Sequence, residues 1–269
     1  MKIECIDGNN VLRRLVEAEG VTVTKSLYNI ACMDSPDLQI IWVWDGKDGN
    51  KVRREIFPDY KKKAEGTGTP DSFYEFMNNF RTLLNHSNCL QIRVDGFEGD
   101  DVIAQIVALR DAGQKIEINS NDQDFRQLVS NEVTLEYMAP KFLGYSASDM
   151  RLAKTLVGDS ADNIKGLPRF GLKSFEKLTP TQRDSWVDLL EDDAIQLSPA
   201  HLEGMPDALG LSKTLSQVTL DNIDLLRAYY TIIGFMPIPI DVFASSFTMG
   251  DGDTKKGGEL LNDMFMLEI

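Results

Sequence analysis

The strongest constraint on the fold is an alternation along the first half of the chain. Short apolar, β-branched runs at Lys2–Ile6, Gln39–Trp44, Cys89–Val94 and Lys115–Asn119 are separated by helical patterns at Val11–Glu19, Asp71–Leu84 and Asp100–Leu109. In the last of these, Val102, Ile103, Ile106 and Val107 repeat at helical spacing. Strands alternating with helices predict an α/β fold, a central and mainly parallel sheet flanked by helices. A further strand is expected at Val133–Met138. After about Tyr145 helical patterns take over, at Ser148–Val157, Lys173–Leu178, Thr181–Leu190 and Leu220–Ile233. The chain is therefore expected to divide into an α/β core over residues 1–144, a helical region over 145–240 and a tail over 241–269. The tail reads as a loop followed by a short helix. The core carries an insertion at about 46–94, and its first half, KDGNKVRREIFPDYKKKAEGTGTP, is basic and rich in Gly and Pro.

The strands share a second property: they end in acids. Lys2–Ile6 runs into Asp7, Gln39–Trp44 into Asp45, and Lys115–Asn119 into Asp122 and Asp124. In open α/β sheets, ligand sites form beyond the carboxyl ends of the strands. Parallel, adjacent strands would bring these side chains together. DGFEGDD adds Glu98 and Asp101, three apart at a helix start, with Asp100 beside them; GDSADN adds Asp159 and Asp162, again three apart. Aspartates also cap helices and fill turns, which is the plainer explanation for any one of them. As a set they are harder to explain that way. Two unit charges about 4 Å apart repel by roughly 1 kcal/mol in water and by more in a drier site. Divalent magnesium or manganese, which take oxygen ligands, would offset that repulsion. Two such ions about 3.5–4 Å apart can activate water and stabilise the leaving oxygen of a phosphodiester.

Composition narrows the field. The net charge of −14 argues against a nucleic-acid partner if it is spread over the surface, but not if the acids are gathered in a metal site. His86 and His201 are the only histidines, so a zinc site built on histidines is not expected. Cys5, Cys32 and Cys89 are scattered without a CxxC spacing and read as buried free thiols. No apolar stretch reaches the roughly 18 residues that a membrane span needs, and the start shows no signal-peptide pattern. A cytoplasmic protein is expected.

Taken in order, these segments resemble the flap endonuclease and 5′–3′ exonuclease family, which includes bacteriophage 5′-nucleases and the 5′-nuclease domain of bacterial DNA polymerase I. The resemblance runs from about residue 2 to about residue 180. IDGNN, VWDGK, RREIFPDYK, GFEGDD, SNDQDFRQL and GDSADNIKGLPRFG occur in the family's order. It implies a helical arch in the insertion and a helix–three-turn–helix DNA clamp in the helical region. It implies metal ligands, direct or through water, at Asp7, Asp45, Glu98, Asp100, Asp101, Asp122, Asp124, Asp159 and Asp162, with the last pair serving the second of two Mg2+ or Mn2+ ions. Asp122, the first acid after its strand, is the inner ligand of its pair, and Asp124 acts through water. Lys61 would contact the scissile phosphate, Tyr60 would stack on the terminal base, and Arg14 would hold a phosphate. Arg53 and Lys63, in the same basic stretch, are expected to contact DNA as well.

The clamp segment also has a reading from its own residues. Gly166 and Gly171 bracket a tight turn whose backbone N–H groups, with the following helix, bind phosphate without reading bases; Lys173 adds charge. The family usually has glycine where Arg169 stands. This leaves open the turn conformation and the K+ ion that the family often holds there. Arg169 would then contact phosphate directly.

The activity implied is metal-dependent hydrolysis of DNA from 5′ ends, at nicks, gaps or flaps and extending to RNA–DNA hybrids, by a monomer acting in phage or bacterial replication, recombination or primer removal. Two alternatives come from other classes. A non-catalytic DNA-binding homologue should have lost carboxylates, and none is missing. A PIN-type ribonuclease carries fewer carboxylates and no clamp.

Overall fold

A computed structural model of the chain describes residues 1–18, 21–62, 70–137, 145–192 and 203–266. Its sheet is built from β1 (Lys2–Asp7), β2 (Leu38–Trp44), β3 (Leu90–Arg93), β4 (Ile116–Asn119), β5 (Val133–Leu135) and β6 (Phe247–Met249). The spatial order is β5-β4-β1-β2-β3-β6. All neighbours run parallel except β3 and β6. The strand order reverses at β1: the chain steps outward through β2 to β3, then returns to add β4 and β5 on the other side. Such a reversal is where open α/β sheets form ligand sites.

The apolar runs are nearly continuous because both sheet faces are covered. On one face Ile40, Trp42 and Trp44 join Ile6, Phe80 and Leu84 in a single core. The Trp42 and Trp44 rings stack at 5.6 Å, and Phe80 lies 5.2 Å from Trp42. α1 (Gly8–Ala18), α2 (Val21–Ala31), α4 (Asp71–Leu84) and α12 (Thr254–Met266) pack together here. The alternate residues Ile41 and Val43 are buried as well, and α5 (Gly99–Ala108) packs against β1, β2 and β3.

The chain folds as two compact units, Met1–Gly49 with Lys63–Ala139 and Pro237–Ile269, and Asn50–Lys62 with Pro140–Met236. This differs in two places from the division expected at residues 144 and 240. The tail belongs to the first unit because β6 closes the β3 edge and Leu261 of α12 is buried in the sheet core. The Asn50–Lys62 part of the basic segment after Asp45 belongs to the second unit, tied there by a buried arginine. Arg53, in α3 (Lys51–Ile56), is 2% exposed and donates from Nε to the Ile232 carbonyl (2.9 Å) and from an amino group to the Gly234 carbonyl (3.2 Å). These carbonyls belong to and follow the last turn of α10 (Lys213–Ile233), where helical backbone acceptors lack internal partners.

The second unit is helical, with α6 (Ala147–Val157), α7 (Leu172–Phe175), α8 (Pro180–Glu191) and α9 (Met205–Leu209) beside α10. Its core gathers Leu156, Phe175, Trp186, Leu226 and Tyr229. Capping boxes start α6 at Ser146 and α8 at Thr179. In the first unit α11 (Ile240–Ser245) leads into β6. Cys5 and Cys89 are buried free thiols and Cys32 is partly buried. No helix among the described residues is long and apolar enough to cross a membrane.

Candidate metal centre and phosphate-facing residues

In the first unit the acids at the ends of β1, β2 and β4 are held by a network of short polar residues. Asp7 ends β1. Its Oδ1 accepts the Asn10 backbone N–H (3.1 Å), and its Oδ2 accepts the Ser120 hydroxyl (2.9 Å). Ser120 has no exposed surface, and the same hydroxyl accepts the Asp122 backbone N–H (3.1 Å). One side chain thus ties the end of β1 to the end of β4. Asp45 follows β2. Its carboxylate accepts the Gly99 N–H (2.8 Å) and the Asn9 amide (2.8 Å), while its own N–H donates to Asn9 (3.2 Å). Asn10 and Asn121 pair through their amides at 2.8 Å. Asp122 caps the 3-10 turn Gln123–Leu128 by accepting the Asp124 N–H at 2.9 Å.

Electrostatics mark this group. Burial first, and then the Asp45 charge, push the Asp7 carboxyl up to about 7, with Asp122 adding to the effect and the Asn10 and Ser120 hydrogen bonds opposing it. Three acids next to one another at strand ends, one of them reluctant to ionise, form an oxygen-donor set short of positive charge. This is the donor chemistry that suits magnesium or manganese.

Glu98, Asp100 and Asp101 gather at the start of α5, where the positive end of the helix favours negative charge. Asp101 accepts the Glu98 N–H (3.1 Å) and Asp100 accepts the Asp101 N–H (2.9 Å). Glu98 and Asp101 are both buried. These acids therefore also serve as helix caps, and capping fixes their orientation. Arg14 lies 3.7 Å from Glu136.

In the second unit Lys61 adopts a left-handed backbone, with φ 47°. Its N–H donates to the Asp162 carbonyl (3.2 Å), and its Nζ lies 3.8 Å from the Asp162 carboxylate. Arg54, which the sequence reading passed over, supports this turn by donating to the Tyr60 carbonyl at 3.1 Å and the Lys61 carbonyl at 3.4 Å. Asn163, also left-handed at φ 61°, donates to the Asp59 carbonyl at 3.0 Å. Asp159 accepts Lys154 Nζ at 2.8 Å. Burial works to raise its pKa, but Lys154 and the Ala161 N–H hold the carboxyl below its ordinary value.

Two expected DNA contacts are corrected here. The Tyr60 ring is 2% exposed within the second unit's core, covered by the Arg53 guanidinium at 5.7 Å and Lys61 Nζ at 5.1 Å, so it offers no face to a base. Arg53 is buried with its guanidinium turned to the α10 carbonyls, so it is not open to a phosphate. Lys63 lies outside the described residues, as do residues 64–69 of the insertion that the resemblance reads as a helical arch.

The turn after α6 answers the question raised by Arg169. Arg169 takes φ 67°, the left-handed conformation glycine ordinarily supplies. The turn carries backbone strain at an exposed arginine. Gly166, at φ 68°, is required by space as well, because a Cβ there would come within 2.6 Å of Gly158 N and Leu156 O. Gly171 is different: its φ is −117° and a Cβ would meet nothing, so no backbone demand explains it. Lys173 is exposed on α7.

In the first unit the residues that sequence reasoning missed are Asn9, Asn10, Ser120 and Asn121. Each stands inside a segment already singled out, IDGNN or SNDQDFRQL, one to three positions from its acid. The sequence signal was there, in small side chains with hydrogen-bonding groups flanking each aspartate.

Acids beyond the carboxyl ends of adjacent parallel strands, beside the point where strand order reverses, define the class as an α/β protein with an acidic centre. The family of the 5′-3′ exonuclease N-terminal resolvase-like domain matches residues 6–154, and the chain belongs to this family. It is 31% identical over 198 residues to the flap endonuclease Xni of Shewanella pealeana, covering 66% of this chain and 75% of that one. It is 27% identical over 162 residues to a 5′-3′ exonuclease of Buchnera aphidicola subsp. Schizaphis graminum, covering 56% and 55%. With DNA polymerase I of Caldicellulosiruptor bescii it shares 28% identity over 254 residues, which is 82% of this chain but only 29% of the polymerase. The chain thus spans under a third of the polymerase and about half of the Buchnera protein. Among solved structures, the T5 5′-exonuclease with bound zinc aligns with a TM-score of 0.64 at 17% identity, over 97% of this chain and 99% of that one. A bacteriophage T5 flap endonuclease in a product-like complex with DNA and metal ions aligns with a TM-score of 0.54 at 18% identity, over 97% and 100%. These likenesses establish the T5 exonuclease fold, a mostly parallel sheet flanked by helices.

Proposed function

We propose that the chain is a metal-dependent 5′–3′ exonuclease and structure-specific flap endonuclease that hydrolyses DNA phosphodiesters from 5′ ends and leaves 5′-phosphate products. The observation that carries this reading is the trio Asp7, Asp45 and Asp122 at the ends of β1, β2 and β4, with Asp7 and Asp122 joined through Ser120 and Asp45 close enough to act on Asp7 by its charge. The family membership and the names of its relatives agree with it. Asp7, Asp45, Glu98, Asp100, Asp101, Asp122 and Asp124 are the residues that would hold divalent magnesium or manganese in the first unit, and Asp159 and Asp162 would serve the second ion. Bound metal would supply activation of water and neutralisation of charge on the leaving oxygen.

The chain's own residues do the positioning. Asn9 and the Gly99 N–H orient Asp45, and Ser120 and the Asn10 N–H orient Asp7. Lys61 faces the scissile phosphate and stabilises the charge that builds on it. Its left-handed turn is braced by Arg54, and its ammonium lies 3.8 Å from the Asp162 carboxylate. Residues 158–171 with α7 form the helix–three-turn–helix clamp, whose backbone N–H groups, Arg169 and Lys173 hold duplex phosphates independently of sequence, and Arg14 holds another phosphate. A K+ ion at the turn carbonyls belongs to the same reading. The substrates are duplexes with 5′ ends, nicks, gaps or flaps, including RNA–DNA hybrids, cut by a monomer during phage or bacterial DNA replication.

The test uses duplex, nicked, gapped and flap DNA labelled at the 5′ or the 3′ end, with magnesium or with chelator. Magnesium-dependent products released from 5′ ends are expected. Cleavage that survives chelator, or that proceeds from 3′ ends, would overturn the proposal.

A further inference from the structure

The first unit holds a second polar cavity, of about 630 Å³, walled by α4, β3, α11 and β6. It contains none of the acids proposed to bind metal. Two arginines line it, Arg81 from α4 and Arg93 from the end of β3. Arg93 Nε lies 3.3 Å from Asp95, an exposed carboxylate. Arg81 makes no ion pair among the described residues, and its Nε is buried without a hydrogen-bond partner. Its guanidinium lies 5.7 Å from the centre of the Trp44 ring. Burial, followed by the neighbouring Arg93 charge, lowers the Arg81 pKa, with Asp95 opposing. Asp95 lines the cavity too and offsets one of the two positive charges, which leaves the lining one positive charge in excess and favours an anionic ligand.

The cavity is also fixed in shape. Gln91 stands between its walls, accepting the Trp44 indole N–H (3.1 Å) and donating to the Arg81 carbonyl (3.1 Å) and to Asn85 (2.9 Å). Asn78, Thr82 and Thr248 add neutral hydrogen-bonding groups to the lining. Guanidinium forks surrounded by amides and hydroxyls match an oxyanion with several acceptor oxygens.

We propose that this cavity binds a phosphate group, with Arg81 and Arg93 as its cationic ligands. The group comes either from free phosphate or from the end of a nucleic-acid strand. The two sources present the same oxygens and differ in what they carry behind them.

The experiment titrates the whole chain in chelator, so that no phosphate is held through a cation, and follows tryptophan emission, to which Trp44 contributes beside Trp42 and Trp186. The probes are inorganic phosphate and a short 5′-phosphorylated oligonucleotide with its unphosphorylated counterpart. Saturable binding of inorganic phosphate is expected, weakened about tenfold in Arg81→Gln and in Arg93→Gln. Tighter binding of the phosphorylated oligonucleotide, lost in the same variants, assigns the strand end; equal binding of both oligonucleotides, with inorganic phosphate still saturable, assigns the free anion. No saturable phosphate binding by the parent chain, or binding undiminished in both variants, overturns the proposal. Thermal unfolding of each variant shows whether it is folded. Arg93→Gln changes the less enclosed of the two side chains and keeps the test decisive if Arg81→Gln does not fold.

Discussion

Ser120 has no exposed surface, and its one hydroxyl serves two of the proposed metal-binding acids. Replacing it with alanine leaves the Asp122 N–H and the Asp7 carboxyl each short of a partner. Ser120→Ala should cost about 1–3 kcal/mol, read from a shift in the denaturation midpoint; an unchanged midpoint would show that the hydroxyl is dispensable. Asp7 gives a pH prediction whose sign follows from linkage. Its folded pKa is raised from 3.8 to about 7, so the folded chain holds this proton where the unfolded chain has lost it. In chelator, stability from this group is full below 3.8 and is lost as pH rises through about 7. Magnesium competes with that proton, so its affinity should climb by up to about tenfold per pH unit below 7 and level off above. Titrations at several pH values with calorimetric detection would reveal this slope, and a flat profile would remove Asp7 from the ligand set. At Arg169, glycine relieves left-handed strain of about 1–2 kcal/mol and gives part of it back through a freer unfolded chain. Arg169→Gly should therefore be as stable as the parent or up to about 1 kcal/mol more so, and should bind duplex DNA more weakly if the guanidinium contacts phosphate.

Among the elements, those legible in the sequence had strong periodicity or strong caps. α4 spans Asp71–Leu84 as read, and the four central strands fall within a residue or two of their expected bounds. The strand at Val133 is shorter than expected and ends at Leu135. The helix expected at Lys173–Leu178 is a single turn, Leu172–Phe175. α3 was missed because six residues flanked by Gly, Asn and Pro carry too little pattern, and its stability comes from Arg53 reaching carbonyls nearly 180 residues away. Long-range contacts of that kind leave no local signal. The same limitation explains why Arg53 and Tyr60 were read as DNA contacts: a basic and aromatic stretch looks the same whether it faces a ligand or a core. The turn after α6 depends on Gly166. Gly166→Ala forces a Cβ against the Gly158 and Leu156 backbone at 2.6 Å, in a left-handed conformation, and should destabilise the second unit by more than about 2 kcal/mol. Circular dichroism melts would measure it, and a loss below about 0.5 kcal/mol would show that the turn rearranges freely.

For the whole molecule, composition misleads and distribution informs. A net charge of −14 suggests a protein that avoids DNA, yet seven of its 42 acids stand at strand ends and at the start of α5, where a metal site would collect them. The alternation of strands and helices revealed the sheet, and the acid at each strand end revealed the candidate site, because both depend on neighbouring residues in sequence. The membership of each unit depends on contacts distant in sequence and could not be read. Central to this account is the claim that the strand-end carboxylates do the chemistry while other residues bind DNA. The most direct measurement is the magnesium-dependent cleavage rate of a 5′-flap DNA by the parent chain and by Asp122→Ala, with DNA affinity measured alongside at fixed salt. The account predicts a rate loss of more than about a hundredfold with affinity nearly unchanged. A variant that cleaves like its parent, or one that loses cleavage only because it no longer binds DNA, would contradict it.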